Sequence, residues 1–291
     1  MRRLFLLRAY GDFVIAVRSS LLSANPKSVK FIASNHLYPL FEAISSVIDT
    51  SQLDISFEDF GIHLGQLNLF TNRYLLDQSS LEQARKIKKY LNENPSLNTG
   101  TEILEQSRKK GILQLVTGKK FECIVKKGSV YQEYANFFGY EVNSKFINDN
   151  IEKKNFLLLP DARISKRNIP QEIVQSIIKE VNQRGANIQV AYFKRVSQVN
   201  KTGRPIKVQM QTDLIFNQTV YNNFKELIQL IQEADFIIGA DSLPIHLSQL
   251  LNKKHFILYP GGGSKAFFTP YTIARQYYCE FNKYQTTTIP Y

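Results

Sequence analysis

The sequence predicts an α/β protein of two Rossmann-like, parallel-sheet domains that face a common cleft. Short apolar runs alternate with amphipathic stretches from the first residues onward, the pattern of parallel strands joined by crossover helices. That alternation is interrupted once, by the polar segment Glu141 to Asn155, and then restarts. A length of 291 residues suits about two domains of ordinary size. The predicted domains are residues 1–145 and residues 146–291.

Arg2 to Ala9 is short and apolar and reads as the first strand. Tyr10-Gly11-Asp12 follows as a turn, with Asp12 as N-cap of a helix over Phe13–Leu22, whose apolar residues 13, 14, 17 and 21 share one face. Val29–Ala33 is a buried strand, Tyr38–Val47 a helix and Leu53–Phe57 an alternating strand. Ser79–Asn92 is a charged, exposed helix opened by serines. Ile112–Val116 and Phe121–Val125 read as strands and Val130–Phe138 as a helix. Beyond the linker, Phe156–Leu159 is a strand stopped by Pro160, Gln171–Gln183 an amphipathic helix and Ile188–Phe193 a strand. Lys194–Gln211 reads as a long basic loop. The chain continues with helix Phe224–Ile231, strand Phe236–Gly239, helix Pro244–Leu251 and strand Phe256–Tyr259.

Hydrophobic residues make up 43% and charged residues 21%, which excludes a disordered or collagen-like chain. The net charge of +12 is shared by both halves rather than gathered in one tail. A dispersed excess suits an anionic surface or a phosphate-binding cleft. No RRM, KH or helix-turn-helix signature accompanies it, which argues against nucleic acid as the partner. Cys123 and Cys279 are the only cysteines, and they form no CxxC pair. That disfavours a zinc ribbon or disulfide framework and fits a reducing compartment. The apolar run Leu4–Leu7 is shorter than a signal peptide needs, and no later run reaches a membrane-spanning length, so a cytoplasmic protein is expected.

Four segments carry residues suited to chemistry, each beside a strand's carboxyl end, where ligands of such folds bind. Asp12 is either a structural helix cap or a general base. Pro160–Pro170 packs Arg163, Lys166 and Arg167 together, either as a solvated basic loop or as cations for a diphosphate. In Phe236–His246, Asp241 and Ser242 open a helix whose start can hold an anion, and His246 shares a helix face with Ser242. Gly261, Gly262 and Gly263 follow the last strand and either form a flexible turn or let main chain approach a ligand. Neither a Walker A loop nor a GxGxxG turn after the first strand is present.

In this order the segments resemble the bacterial heptosyltransferase-like glycosyltransferases, family nine. The resembling stretches are LFLLRAYGDFVIA, FLLLPDARISKRNIPQEI, ADFIIGADSLPIHLS and FILYPGGG, and Leu243 stands where that family usually has glycine. The resemblance implies a GT-B architecture and inverting, metal-independent transfer from a nucleotide sugar such as ADP-heptose, with no cofactor. It places the acceptor on the N-terminal domain and the donor on the C-terminal one. Asp12 would be the catalytic base. Arg163, Lys166, Asp241, Ser242, His246 and the three glycines would hold the donor. The implied acceptor is a lipopolysaccharide- or lipooligosaccharide-type glycan, reached peripherally at the inner, anionic face of the cytoplasmic membrane, where the basic surface has a use. The alternatives are a family member with another nucleotide sugar and a glycan or protein acceptor, and a non-catalytic binding protein that kept the fold.

Overall fold

The computed structural model describes residues 2–7, 9–61, 78–95, 100–106, 109–125, 128–142, 154–162, 164–194, 197–199, 205–207, 218–262, 265–286 and 288–290. The chain divides into two compact units, Met1–Glu141 and Val142–Tyr291. Among the described residues no helix is long and apolar enough to cross a membrane.

The first unit is built on β1 (Arg2–Leu6), β2 (Val29–Ser34), β3 (Asp54–Glu58), β4 (Thr101–Gln106) and β5 (Lys120–Val125). They pair in the order β3-β2-β1-β4-β5, all parallel. Its helices are α1 (Tyr10–Leu21), α2 (Tyr38–Ser45), α3 (Gln78–Glu93), α4 (Lys110–Thr117) and α5 (Val130–Phe138). Helix α1 packs on α5, and α3 on α4. Phe5, Leu7, Ile32, Leu104 and Phe121 of the sheet region join Ala84, Ile87 and Leu91 of α3 and Leu113 of α4 in one core. A parallel sheet covered on both faces needs such continuous apolar strands.

The second unit repeats the plan. Strands β6 (Asn155–Leu159), β7 (Asn187–Phe193), β10 (Gln218–Tyr221), β11 (Phe236–Ala240), β12 (Lys254–Tyr259) and β13 (Tyr278–Glu280) form a parallel sheet in the order β10-β7-β6-β11-β12-β13. Helices α6 (Gln171–Gln183), α7 (Phe224–Glu233), α8 (Leu243–Leu250) and α9 (Pro270–Arg275) accompany it. Phe156, Leu158, Val190, Ile238 and Phe256 pack with Val174, Ile177 and Val181 of α6 on one side.

Several elements differ from the sequence expectation. Ile112–Val116 is not a strand: it lies in α4, which Gly118 ends in the left-handed conformation at φ 69°. A short apolar run has no periodicity of its own to separate helix from strand. The strand beside β1 that the sequence hides is β4, disguised by Glu102 and Glu105, both buried. Helix α1 begins at Tyr10, so Gly11 is helical and Asp12 lies inside the first turn, while Ala9 is the N-cap. A carboxylate there is still favoured, because the first turn presents the positive end of the helix dipole. The expected loop Lys194–Gln211 contains a short antiparallel ladder, β8 (Ser197–Val199) with β9 (Pro205–Lys207).

At the amino ends of β1 and β4, the buried Arg3 guanidinium pairs with the buried Glu102 carboxylate. Burial raises the Glu102 carboxyl above its ordinary value, and Arg3 opposes that rise.

Gly239 in β11 admits helix α8 against the sheet. A Cβ built there would lie 3.0 Å from Ile245 Cδ1 and 3.5 Å from the Leu159 carbonyl oxygen. Both neighbours are buried, so there is little room to yield. Gly239→Val is expected to cost about 1–3 kcal/mol by overpacking, read as a lowered midpoint of denaturant unfolding with unchanged slope.

Candidate active site

Both sheets reverse strand order at their centre; Asp12 lies at the start of the helix after β1, and Asp241 and Ser242 just after β11, while Gly261 and Gly262 follow β12. All strands of a parallel sheet end on the same edge. Where the order reverses, the two following connections diverge and open a crevice at the carboxyl ends. The reversal falls between β1 and β4 in the first unit and between β6 and β11 in the second.

In the first unit, β1 ends at Leu6 and α1 begins at Tyr10. Asp12 is then 6% exposed. The opposite side of the reversal supplies Glu105, 4% exposed, near the end of β4. Glu105 Oε2 accepts the Leu7 N–H at 2.8 Å, which ties β4 to the chain just beyond β1. Tyr134 of α5 is fully buried, and its hydroxyl finds no hydrogen-bond partner among the described residues. Burial, then the charges of Asp12 and Glu105, raise its phenol well above 10. Lys109 is buried just before α4, and its ammonium donates to Gln83 of α3. The Tyr10 ring lies 5.7 Å from that of His36, and its hydroxyl donates to the His36 carbonyl at 3.4 Å. Glu105, Lys109 and Tyr134 did not stand out in the sequence, because the strand that leads to the first two was itself unread.

In the second unit, the connection after β6 is ordered by its own hydrogen bonds. The Ile169 N–H donates to the Pro160 carbonyl at 2.9 Å, and the Ala162 N–H to Asn168 Oδ1 at 2.9 Å. A 3-10 turn at Ser165–Arg167 then aims Arg167 across the reversal. Its Nη1 donates to the Asp241 carbonyl at 3.2 Å and lies 3.3 Å from Asp241 Oδ2. Ser242 Oγ makes a second crossing, donating to the Asp161 carbonyl at 3.3 Å. Burial raises the Asp241 carboxyl above its ordinary value, and Arg167 opposes this. Lys166 is exposed beside this bridge, while Arg163 and Gly263 lie outside the described residues. Among the described residues the cation fixed at the reversal is Arg167, which the sequence shows only as one of three neighbouring basic residues.

Helix α8 starts beside Asp241, with Ser242 as N-cap. Pro244 has no N–H, and that of Ile245 bonds the Ser242 carbonyl at 3.2 Å. His246 faces inward and is 4% exposed. Burial first, then His255 and Arg167, lower its pKa to about 3, so it is a neutral imidazole at physiological pH and brings no positive charge to an anion. After β12, Gly261 and Gly262 have φ of 76° and 60°, and a Cβ on Gly261 would lie 3.0 Å from Glu280 Oε2. Glu280 Oε1 accepts the Tyr259 hydroxyl at 3.1 Å. The glycine turn is thus bordered by a carboxylate. Among the described residues no group of three His, Cys, Asp or Glu side chains is arranged to hold a metal ion.

The depressed His246 value has a sign. Below pH 6.5 the unfolded chain protonates this histidine, while the folded chain stays neutral down to about pH 3. Stability is therefore present above pH 6.5 and is lost as pH falls through that window, at up to ~1.4 kcal/mol per pH unit for one proton. Denaturant unfolding at pH 7 and pH 5 should show this loss in wild type and a smaller one in His246→Gln.

The family model of glycosyltransferase family 9 (heptosyltransferase) matches residues 73–288. That stretch contains Arg167, Asp241 and the glycine turn, while Asp12 precedes it. No curated protein matches the chain in sequence. Among solved structures, the E. coli heptosyltransferase WaaC with ADP is similar at TM-score 0.52 and 12% identity, over 91% of this chain and 89% of that one. The E. coli ADP-heptose lps heptosyltransferase II is similar at 0.52 and 12%, over 96% and 90%. The glycosyl transferase family 9 protein of Veillonella parvula DSM 2008 reaches 0.55 at 10%, over 96% and 85%. At these identities the structures establish a shared GT-B fold. The family match covers most of the chain, and it makes the protein a glycosyltransferase of family 9, the heptosyltransferase family.

Proposed function

We propose that the protein transfers a sugar, with inversion, from a nucleoside-diphosphate sugar to a hydroxyl of a lipopolysaccharide-type glycan. Asp12 acts as the base that takes the acceptor proton while the oxygen attacks the anomeric carbon. The first unit binds the acceptor and the second unit the donor. The observation that carries this reading is the position of Asp12 in a family-9 chain: a buried carboxylate in the first turn of α1, at the strand reversal.

The leaving diphosphate gains negative charge as the glycosidic bond breaks. Arg167 is the side chain best organised to receive it, because a planar guanidinium can leave Asp241 for two phosphate oxygens. Lys166 adds an exposed positive charge alongside, and the N–H groups of Ser242 and Leu243 are the donors that the start of α8 offers. This charge complement serves a metal-independent reaction. ADP-heptose is the proposed donor, supported by the nucleotide and sugar named for the similar E. coli enzymes. The net charge of +12 supports work at an anionic membrane surface, from the cytoplasmic side.

Three variants test the assignment, with ADP-heptose and core oligosaccharide acceptors as probes. Asp12→Asn keeps the volume and is expected to lower kcat about 10²–10⁴-fold while donor affinity holds. Wild-type turnover should persist in EDTA. Near-normal turnover of Asp12→Asn would remove it as the base, and binding of ADP-heptose without turnover by wild type would favour a non-catalytic binder. Arg167→Ala should weaken ADP binding by roughly tenfold or more, in line with loss of a charge-assisted hydrogen bond, and more than Lys166→Ala does. Isothermal titration with ADP compares the two directly.

A further inference from the structure

Tyr38, the first residue of α2, is an aromatic side chain left 51% exposed, and the proposed reaction does not use it. Strands β1 and β2 run in register, with Leu6 beside Ala33, so α1 and α2 both start from the same sheet edge. Ring contacts hold the two starts together. The Tyr10 ring lies 5.7 Å from that of His36, and the Tyr10 hydroxyl donates to the His36 carbonyl at 3.4 Å. Phe13, the residue after Asp12, lies ring to ring 6.3 Å from Phe41 of α2 and 6.4 Å from Phe57 of β3. Phe57 in turn lies 5.2 Å from the Tyr38 ring, with the two planes at 83°. Neighbouring packed helices have axes about 8–10 Å apart, which puts Tyr38 on the scale of a disaccharide from Asp12. Its ring is braced by other aromatic rings, and a braced aromatic gives up little freedom when a ligand covers it.

We propose that Tyr38 is the platform on which a neutral sugar ring of the acceptor glycan stacks, beside the ring whose hydroxyl meets Asp12. The inference rests on the first unit binding the acceptor. A pyranose presents C–H groups on one face and hydroxyls around its rim. An aromatic face covers the first, while the phenol tip stays among water and sugar hydroxyls. Helix α2 and strand β3 carry no Lys or Arg, and Glu42 lies one turn beyond Tyr38 on the same helix face. That charge setting favours an uncharged ring over a phosphate or the headgroup of an anionic lipid. Single exposed apolar side chains are ordinary on a protein surface, but this one is tied by ring contacts to the residue that follows the base.

The chain contains no tryptophan, so Tyr38→Trp in the full chain gives a single fluorescent reporter at this position. Delipidated core oligosaccharide is the probe. Adding it should shift the emission to shorter wavelength and saturate, while phosphatidylglycerol vesicles leave the emission unmoved. Emission that ignores the oligosaccharide while calorimetry detects its binding overturns the proposal, and so does a response to vesicles alone. By calorimetry, Tyr38→Ala should bind the oligosaccharide about tenfold more weakly than wild type, and Tyr38→Phe within about twofold of it. ADP affinity should hold in both variants. Equal losses for oligosaccharide and ADP would mark a structural role and overturn the proposal. If Tyr38→Ala does not fold, the tryptophan reporter decides alone. Where ADP-heptose and an acceptor give turnover, the change should fall on the acceptor KM rather than the donor KM. Oligosaccharide binding untouched by Tyr38→Ala would withdraw Tyr38 while leaving the acceptor reading in place. A wild type that binds no oligosaccharide would withdraw the acceptor reading, and this proposal with it.

Discussion

A parallel sheet that reverses its strand order cannot close over its own centre. Every strand delivers its following segment to the same edge, and at the reversal two adjacent strands send those segments to opposite faces. The gap between them is a consequence of topology, and each unit of this protein fills it with charge. In the first unit the charges are Asp12 and Glu105, and in the second Arg167 and Asp241. The apolar strands beneath are rigid and buried on both faces, so these side chains are held by main chain that has little freedom to move.

The two gaps are chemically unlike. The first gathers carboxylates around a buried phenol, a setting suited to taking up a proton. The second sets a guanidinium against a carboxylate. Glycosyl transfer asks for both abilities, one at the entering oxygen and one at the leaving diphosphate. In the proposed reaction, two copies of one sheet plan, charged differently, meet these two needs.

The sequence reveals the architecture more fully than the site. The strands of continuous apolar residues, such as Phe156–Leu159, and the amphipathic helices Val130–Phe138 and Gln171–Gln183 are legible because burial imposes their pattern. β4 is not, because Glu102 and Glu105 interrupt its apolar run for reasons that exist only in three dimensions. The same holds for Arg167, whose neighbour Lys166 looks equivalent on paper. Only the 3-10 turn decides which of the two side chains crosses to Asp241. His246 shows the converse. Its spacing from Ser242 suggests a ligand, whereas helix α8 turns it towards His255 in the interior. Residues that serve chemistry depart from the local rules that make the scaffold readable.

The Arg3–Glu102 pair, at the other end of β1 and β4 from the first unit's gap, adds little net stability by itself, since removing two charges from water costs about as much as their attraction returns. Its consequence lies in the arrangements it forbids. Shifting β1 by one residue against β4 would turn Arg3 to the other face of the sheet and leave each charge alone among apolar side chains. The apolar stretch Leu4–Leu6 of β1 by itself has few features to tell the correct alignment from its near misses. The pair therefore acts as a registration mark, and because Leu7 meets Glu105 only in that alignment, accuracy at one end of the strand is passed to the other.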